Sequence, residues 1–148
     1  MGNPLTKQID GNHYTEQLIQ PIEAAYLLNA TPCWAKLNKY LTRDKGNKLS
    51  NINKALHCIE LEEYFEEGFD ERLVELLGLE EDPWVELKGL SLSSLGYSNR
   101  VCDEFLENIV ALCTDNEKYR GALKAMYKMN YRSAKDFVAS SIRDLTTE

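Results

Sequence analysis

A chain of 148 residues, 43% hydrophobic and 28% charged, can bury a real core and is too apolar to stay disordered. Its net charge of -7 argues against a general duplex-DNA binder. No apolar run is long enough to span a bilayer, and the opening residues lack the apolar stretch of a signal peptide, so the expected location is cytoplasmic and away from membranes.

Residues 1–18 are polar, and an extended arm packed through Tyr14 is expected there, with His13 beside it as a candidate phosphate donor or proton carrier. Pro21 opens a first helix that runs to about Ala30, with Ile22, Ala25, Tyr26 and Leu28 as its apolar side. Thr31-Pro32 closes it and starts a second helix, about 32–44, because Thr can cap and Pro suits the first helical position. Trp34, Leu37, Tyr40 and Leu41 recur there at helical spacing. Lys36, Lys39 and Arg43 fall at i, i+3 and i+7 on one side, and Lys45 lies just past the end. Such a cationic row beside an aromatic ring suits phosphate or another anion; the plain alternative is a solvated helix face. Gly46-Asn47 makes a turn.

The third helix is expected over about 48–67, with Leu49, Ile52, Leu56 and Ile59 as its first stripe and Asn53 among them. Its end is acidic through Glu60, Glu62, Glu63, Glu66 and Glu67, which the macrodipole disfavours unless cations offset it. Gly68 should end it, and Asp70 should cap a short fourth helix through Leu77. Residues 78–96 read as an ordered crossover, sticky with Trp84, Val85, Leu87 and Leu90, with room for a short strand pair at 84–92. Three amphipathic helices follow, about 98–114 (Val101, Phe105, Ile109, Leu112), 116–129 (Tyr119, Leu123, Met126, Tyr127) and 131–145 (Tyr131, Ala134, Val138, Ile142, Leu145). The outward side of the middle one is basic through Lys118, Arg120, Lys124 and Lys128, continuing to Arg132.

Charge is segregated along the chain. Residues 36–54 hold six Lys/Arg against Asp44, residues 59–86 hold twelve Asp/Glu against Arg72, and residues 116–135 hold six Lys/Arg against Glu117. An acidic centre between two basic regions can serve contacts inside the molecule, a homo-oligomer, or a partner of opposite charge. An acidic surface formed by Glu60, Glu62, Glu63, Glu66, Glu67 and Asp70 can imitate nucleic acid towards a basic groove. The basic face at Lys118, Arg120, Lys124, Lys128 and Arg132, with tyrosines interleaved, can follow a nucleotide strand.

Reactive chemistry is thinly signalled. No Gly-x-x-x-x-Gly-Lys-Ser/Thr loop is present, so a P-loop kinase is ruled out. Cys33, Cys58, Cys102 and Cys113 stand apart inside apolar patterns and read as buried free thiols; their spacing suits neither zinc nor a Cys–His nucleophile. Glu60-x-x-Glu63 and Glu104-x-x-Glu107 each place two carboxylates on one helix face, as in all-helical nucleotide pyrophosphohydrolases that bind Mg²⁺, but at a longer separation. No resident metal is assigned.

Asp10-Gly11-Asn12-His13-Tyr14, Ile19-Gln20-Pro21-Ile22-Glu23, Lys39-Tyr40-Leu41-Thr42-Arg43-Asp44-Lys45 and Asn53-Lys54-Ala55 occur in an order and spacing that resembles a small phage family, the domain of unknown function numbered 3310. The resemblance covers about residues 10–65, and some members of that family are described as nucleotide kinases. It implies a phage origin and, for an enzyme, Mg²⁺-dependent nucleotide chemistry, with His13, Tyr14, Lys39, Tyr40, Arg43 and Lys45 around the nucleotide and its phosphates, to which the cationic row adds Lys36. Two departures stand out: the family's Gly-Asn pair falls on Ala35-Lys36, and its Glu-Asp pair falls on Ser50-Asn51. If that acidic pair binds metal or takes a proton, this chain lacks it.

The expectation is therefore an all-α, compact helical bundle of about six to seven helices. Residues 1–68 form the phage-like region, 69–97 the crossover and 98–148 a three-helix region. The expected function is a phage effector that binds and inhibits a host protein, or a protein–nucleic acid complex, in the host cytoplasm. The alternatives are a nucleotide-binding kinase-like enzyme and a structural or oligomer-forming accessory protein.

Overall fold

The computed structural model describes residues 18–78 and 100–147, with only the backbone described for residues 68–74 and 77. The expected arm with His13 and Tyr14 and the strand pair at 84–92 lie outside the described residues. Among the described residues there are six helices and no strand: α1 (Pro21–Leu28), α2 (Pro32–Thr42), α3 (Lys48–Leu77), α4 (Asp103–Cys113), α5 (Glu117–Tyr127) and α6 (Tyr131–Thr146). The all-α bundle expected from periodicity is what forms. No described helix is long and apolar enough to cross a membrane.

Local chemistry sets the boundaries. The Thr31 hydroxyl accepts from the Trp34 amide and caps α2, and Pro32 follows at its first position. Asn47, Asn116 and Asn130 cap α3, α5 and α6 in the same way. Asn29 takes the left-handed conformation that ends α1, and Gly46 has φ 84° in the turn before α3.

α3 is one helix of 30 residues, about 45 Å long, so Gly68 does not end it and Asp70 lies inside it rather than capping a fourth. A single Gly costs a helix interior only about 1 kcal/mol, which a run of helix formers on both sides offsets. α2 packs antiparallel along α3: Thr31 at the start of α2 meets Glu62, and Tyr40 near its end lies beside Lys54. α6 lies along another side of α3, joined by an ion pair of 2.8 Å from Lys135 to Glu63, and α5 packs on both α6 and α2.

Ile52, Ala55, Ile59 and Glu62 face inward from α3, against Trp34, Leu37 and Leu41 from α2, Leu123 and Met126 from α5, and Ala134 and Val138 from α6. The Trp34 indole donates to the Leu123 carbonyl at 2.9 Å, which fixes α2 on α5.

Several stripes turn out rotated from the expected ones. α1 buries Pro21, Ala24 and Leu28 and leaves Ile22 and Tyr26 outside. Its sequence carries apolar residues on two sides, and α2 and α4 take only one. α4 buries Leu106, Ile109 and Val110, leaving Phe105 and Leu112 exposed, and Val101 stands outside the helix. Asn53 is exposed and donates to Leu49 O, so it needs no buried partner; Leu145 is exposed as well. Of the cysteines, Cys58 is buried, Cys33 and Cys113 are half-buried, and Cys102 is exposed at the start of α4.

Candidate functional site

The cationic row on α2 is the expected site that the fold preserves. Lys36 and Lys45 are exposed, and Lys39, Tyr40 and Arg43 are half-buried. Packing α2 against α3 adds Lys54, which sequence spacing within α2 could not supply. The Lys39 and Lys54 ammonium groups lie 5.6 Å and 5.7 Å from the centre of the Tyr40 ring, close enough for cation–π attraction. Among the described residues, Lys36, Lys39, Arg43, Lys45 and Lys54 make no ion pair. The Arg43 Nε–H is buried and has no acceptor, a vacancy that an anionic oxygen would satisfy. Lys48, next along, is held otherwise: it donates to the Leu41 carbonyl at 2.9 Å and sits over Tyr119, and burial lowers its pKa.

One flank of this face is a shallow pocket of about 310 Å³ between α1 and α2. Pro21, Ile22 and Ala35 form its apolar floor, and Lys36 and Lys39 its charged edge. An apolar floor with a few polar groups at one side is the usual make-up of a small-ligand site.

The other two expected surfaces are largely consumed by the fold. Glu62, expected on the acidic surface, is 1% exposed and accepts a hydrogen bond from the Thr31 hydroxyl. Burial, the larger influence, raises its pKa, while the Thr31 hydroxyl and the nearby Tyr131 hydroxyl favour the anion. The Tyr131 hydroxyl faces the carboxylate without closing a well-aligned hydrogen bond, and its own pKa is pushed up by burial and by Glu62. α2 and α6 both begin beside Glu62, so two positive helix ends face it. Glu62 is thus a structural acid and not a docking residue. Glu63 is held by Lys135, Glu66 is half-buried, and only Glu60 and Glu67 stand fully outside; the Asp70 side chain lies outside what is described.

The basic face of α5 is neutralised by its neighbours. Lys118 pairs with Asp144 on α6 at 2.5 Å, and Lys124 and Lys128 pair with Glu107 and Asp103 on α4 at 3.0 Å and 3.1 Å. Arg120 donates to the Thr114 and Ala111 carbonyls at the end of α4, leaving Arg132 exposed. The interleaved tyrosines are used too: Tyr127 is buried, and its hydroxyl donates to the Leu28 carbonyl at 2.7 Å.

No reactive group emerges among the described residues. Burial pushes the Cys33 and Cys113 thiols up to about 11 and raises Cys58 despite Lys36 and Lys39, so all three stay protonated. His57 is exposed on α3. No group of three or more His, Cys, Asp or Glu is placed to hold a metal among the described residues; Glu107 and Glu63, one from each expected Mg²⁺ pair, are engaged by lysines.

No family model matches this chain, and no curated protein or solved structure matches it.

Proposed function

We propose that this chain works by binding rather than catalysis, as an effector of the phage type that docks on a host macromolecule through the cationic α2–α3 face. The observation that carries the reading is a contrast in pairing. Lys36, Lys39, Arg43, Lys45 and Lys54 make no ion pair among the described residues, with Lys39 and Lys54 beside Tyr40, while Lys118 and Lys124 of α5 and Lys128 at its end each have one. Unpaired cations on a rigid helical pair attract an anionic surface and lose little on meeting it. The acidic run is the lesser contributor in this reading: among residues 60–67, Glu60 and Glu67 are exposed while Glu62 is buried and Glu63 is paired. The phage assignment rests on the resemblance over residues 10–65.

A second reading uses the same lysines for a nucleotide, with the base or sugar against Pro21, Ile22 and Ala35 and phosphates at Lys36 and Lys39; the pocket between α1 and α2 favours it. Titrating the chain with nucleoside triphosphates, with a short single strand of DNA and with an acidic host extract separates the two. A host complex that dissolves as salt rises, and that is lost in Lys39→Glu/Lys54→Glu but kept in Lys124→Glu, supports docking. A saturable thermal shift with nucleotide alone supports the second reading. Silence from all three ends both.

A further inference from the structure

α1 leaves a line of large apolar side chains in water. Ile22 and Tyr26, one turn apart on α1, are 69% and 88% exposed, and Leu18, in the bend before the helix, is 86% exposed. Beneath them α1 and α2 enclose a valley. Its two halves, about 310 Å³ and 560 Å³, meet at Ile22 and Ala35. The floor is built from small or short residues, Pro21, Ala25, Ala30, Pro32 and Ala35, so a second backbone can approach closely. Ile22 and Tyr26 stand about 6 Å apart along the α1 axis, a little over one helical turn. Lys36 and Lys39 close one end, and both are without a carboxylate partner among the described residues.

An apolar trough with a cationic end has a complement of definite chemistry. We infer that the α1–α2 valley is the docking groove for an acidic amphipathic helix of a partner protein, its apolar side against Ile22 and Tyr26 and its carboxylates at Lys36 and Lys39. The inference rests on the docking reading above and names the partner's chemistry. A helix offers apolar anchors one turn apart, as Ile22 and Tyr26 are on α1. Bare polyanions offer only the charge, and a strand of nucleic acid brings no aliphatic side to the Ile22 line.

The test uses the full chain and a labelled helical peptide of about 18 residues, roughly five turns, with leucines along one side and glutamates on the other. Saturable binding in fluorescence anisotropy is expected. Replacing the glutamates by glutamine, or breaking the helix with a central proline, should each weaken it about tenfold or more, a difference the assay resolves readily. Ile22→Glu should abolish it; the side chain is exposed, so the variant folds, as circular dichroism will verify. Lys124→Glu, on a lysine already paired with Glu107, should leave it unchanged.

If polyglutamate binds as well as the peptide, or Ile22→Glu binds like the parent, the groove assignment falls while the cationic-face reading stands. If neither peptide nor polyglutamate binds, both fall. If the chain doubles its mass in light scattering and Ile22→Glu restores the monomer, the valley belongs to a second copy and the inference is overturned.

Discussion

Glu62 concentrates several demands on one residue. It is the only buried carboxylate among the described core residues, held by the Thr31 hydroxyl that also caps α2. Burial raises its pKa above the ordinary carboxylate value, so folding favours the protonated form. Its contribution to stability is therefore fully present below the carboxyl range of the unfolded chain and is lost as pH rises through the raised folded value. Glu62→Gln keeps an acceptor for Thr31 and removes the titration. Thermal melts of parent and variant should diverge in the variant's favour as pH rises from the carboxyl range of the unfolded chain up to the raised folded value; parallel curves would mean the carboxylate is not strained by its surroundings. Tyr127 is a second such residue. Its hydroxyl accepts from the Val101 amide at 3.2 Å and donates to the Leu28 carbonyl at 2.7 Å, tying the chain before α4 to the end of α1. Tyr127→Phe strands both groups and should cost about 1–3 kcal/mol, read from the urea midpoint.

At the scale of elements, α5 and α6 pack tightly where Gly121 faces Phe137. A Cβ on Gly121 would stand 2.6 Å from the Phe137 ring. Helix propensity alone favours Gly121→Ala by about 1 kcal/mol. The clash should reverse that sign, for a net loss of about 1–2 kcal/mol after the partly exposed ring swings outward. Phe137→Ala in the same chain should recover part of the loss, and a double-mutant cycle measures the coupling. The elements also show which patterns could be read in one dimension. α2, α5 and α6 carry apolar residues on one side only, and their buried faces follow the spacing. α1 and α4 carry apolar residues on more than one side, so periodicity cannot choose, and the neighbouring helices do. α3 continues through Gly68 because a single glycine costs a helix interior only about 1 kcal/mol.

Across the whole molecule, charge is sorted by pairing and not by sequence block. The sequence holds three blocks of like charge; the fold cancels much of the last and, among the described residues, draws two acids out of the acidic one. α5 finds its counter-ions on α4 and α6, and the acidic part of α3 gives Glu62 to the core and Glu63 to Lys135. The α2–α3 face keeps its charge. Reversing Lys39 and Lys54 together should therefore cost little stability and remove anion binding. Reversing Lys124 should instead lower stability by up to about 1 kcal/mol, the scale of an exposed ion pair, and leave binding intact. Salt titration of denaturation and of binding, run side by side, distinguishes the two effects.

Sequence by itself determined the helical class, the cap at Thr31 and the Lys36, Lys39, Arg43 row, because each depends on residues within a turn or two of one another. Only tertiary structure decided that Lys54 joins that row, that Glu62 leaves the surface, and that the lysines of α5 are already matched. Those outcomes depend on which helix lies beside which, and burial and ion pairing between helices leave no periodic trace in the chain that carries them.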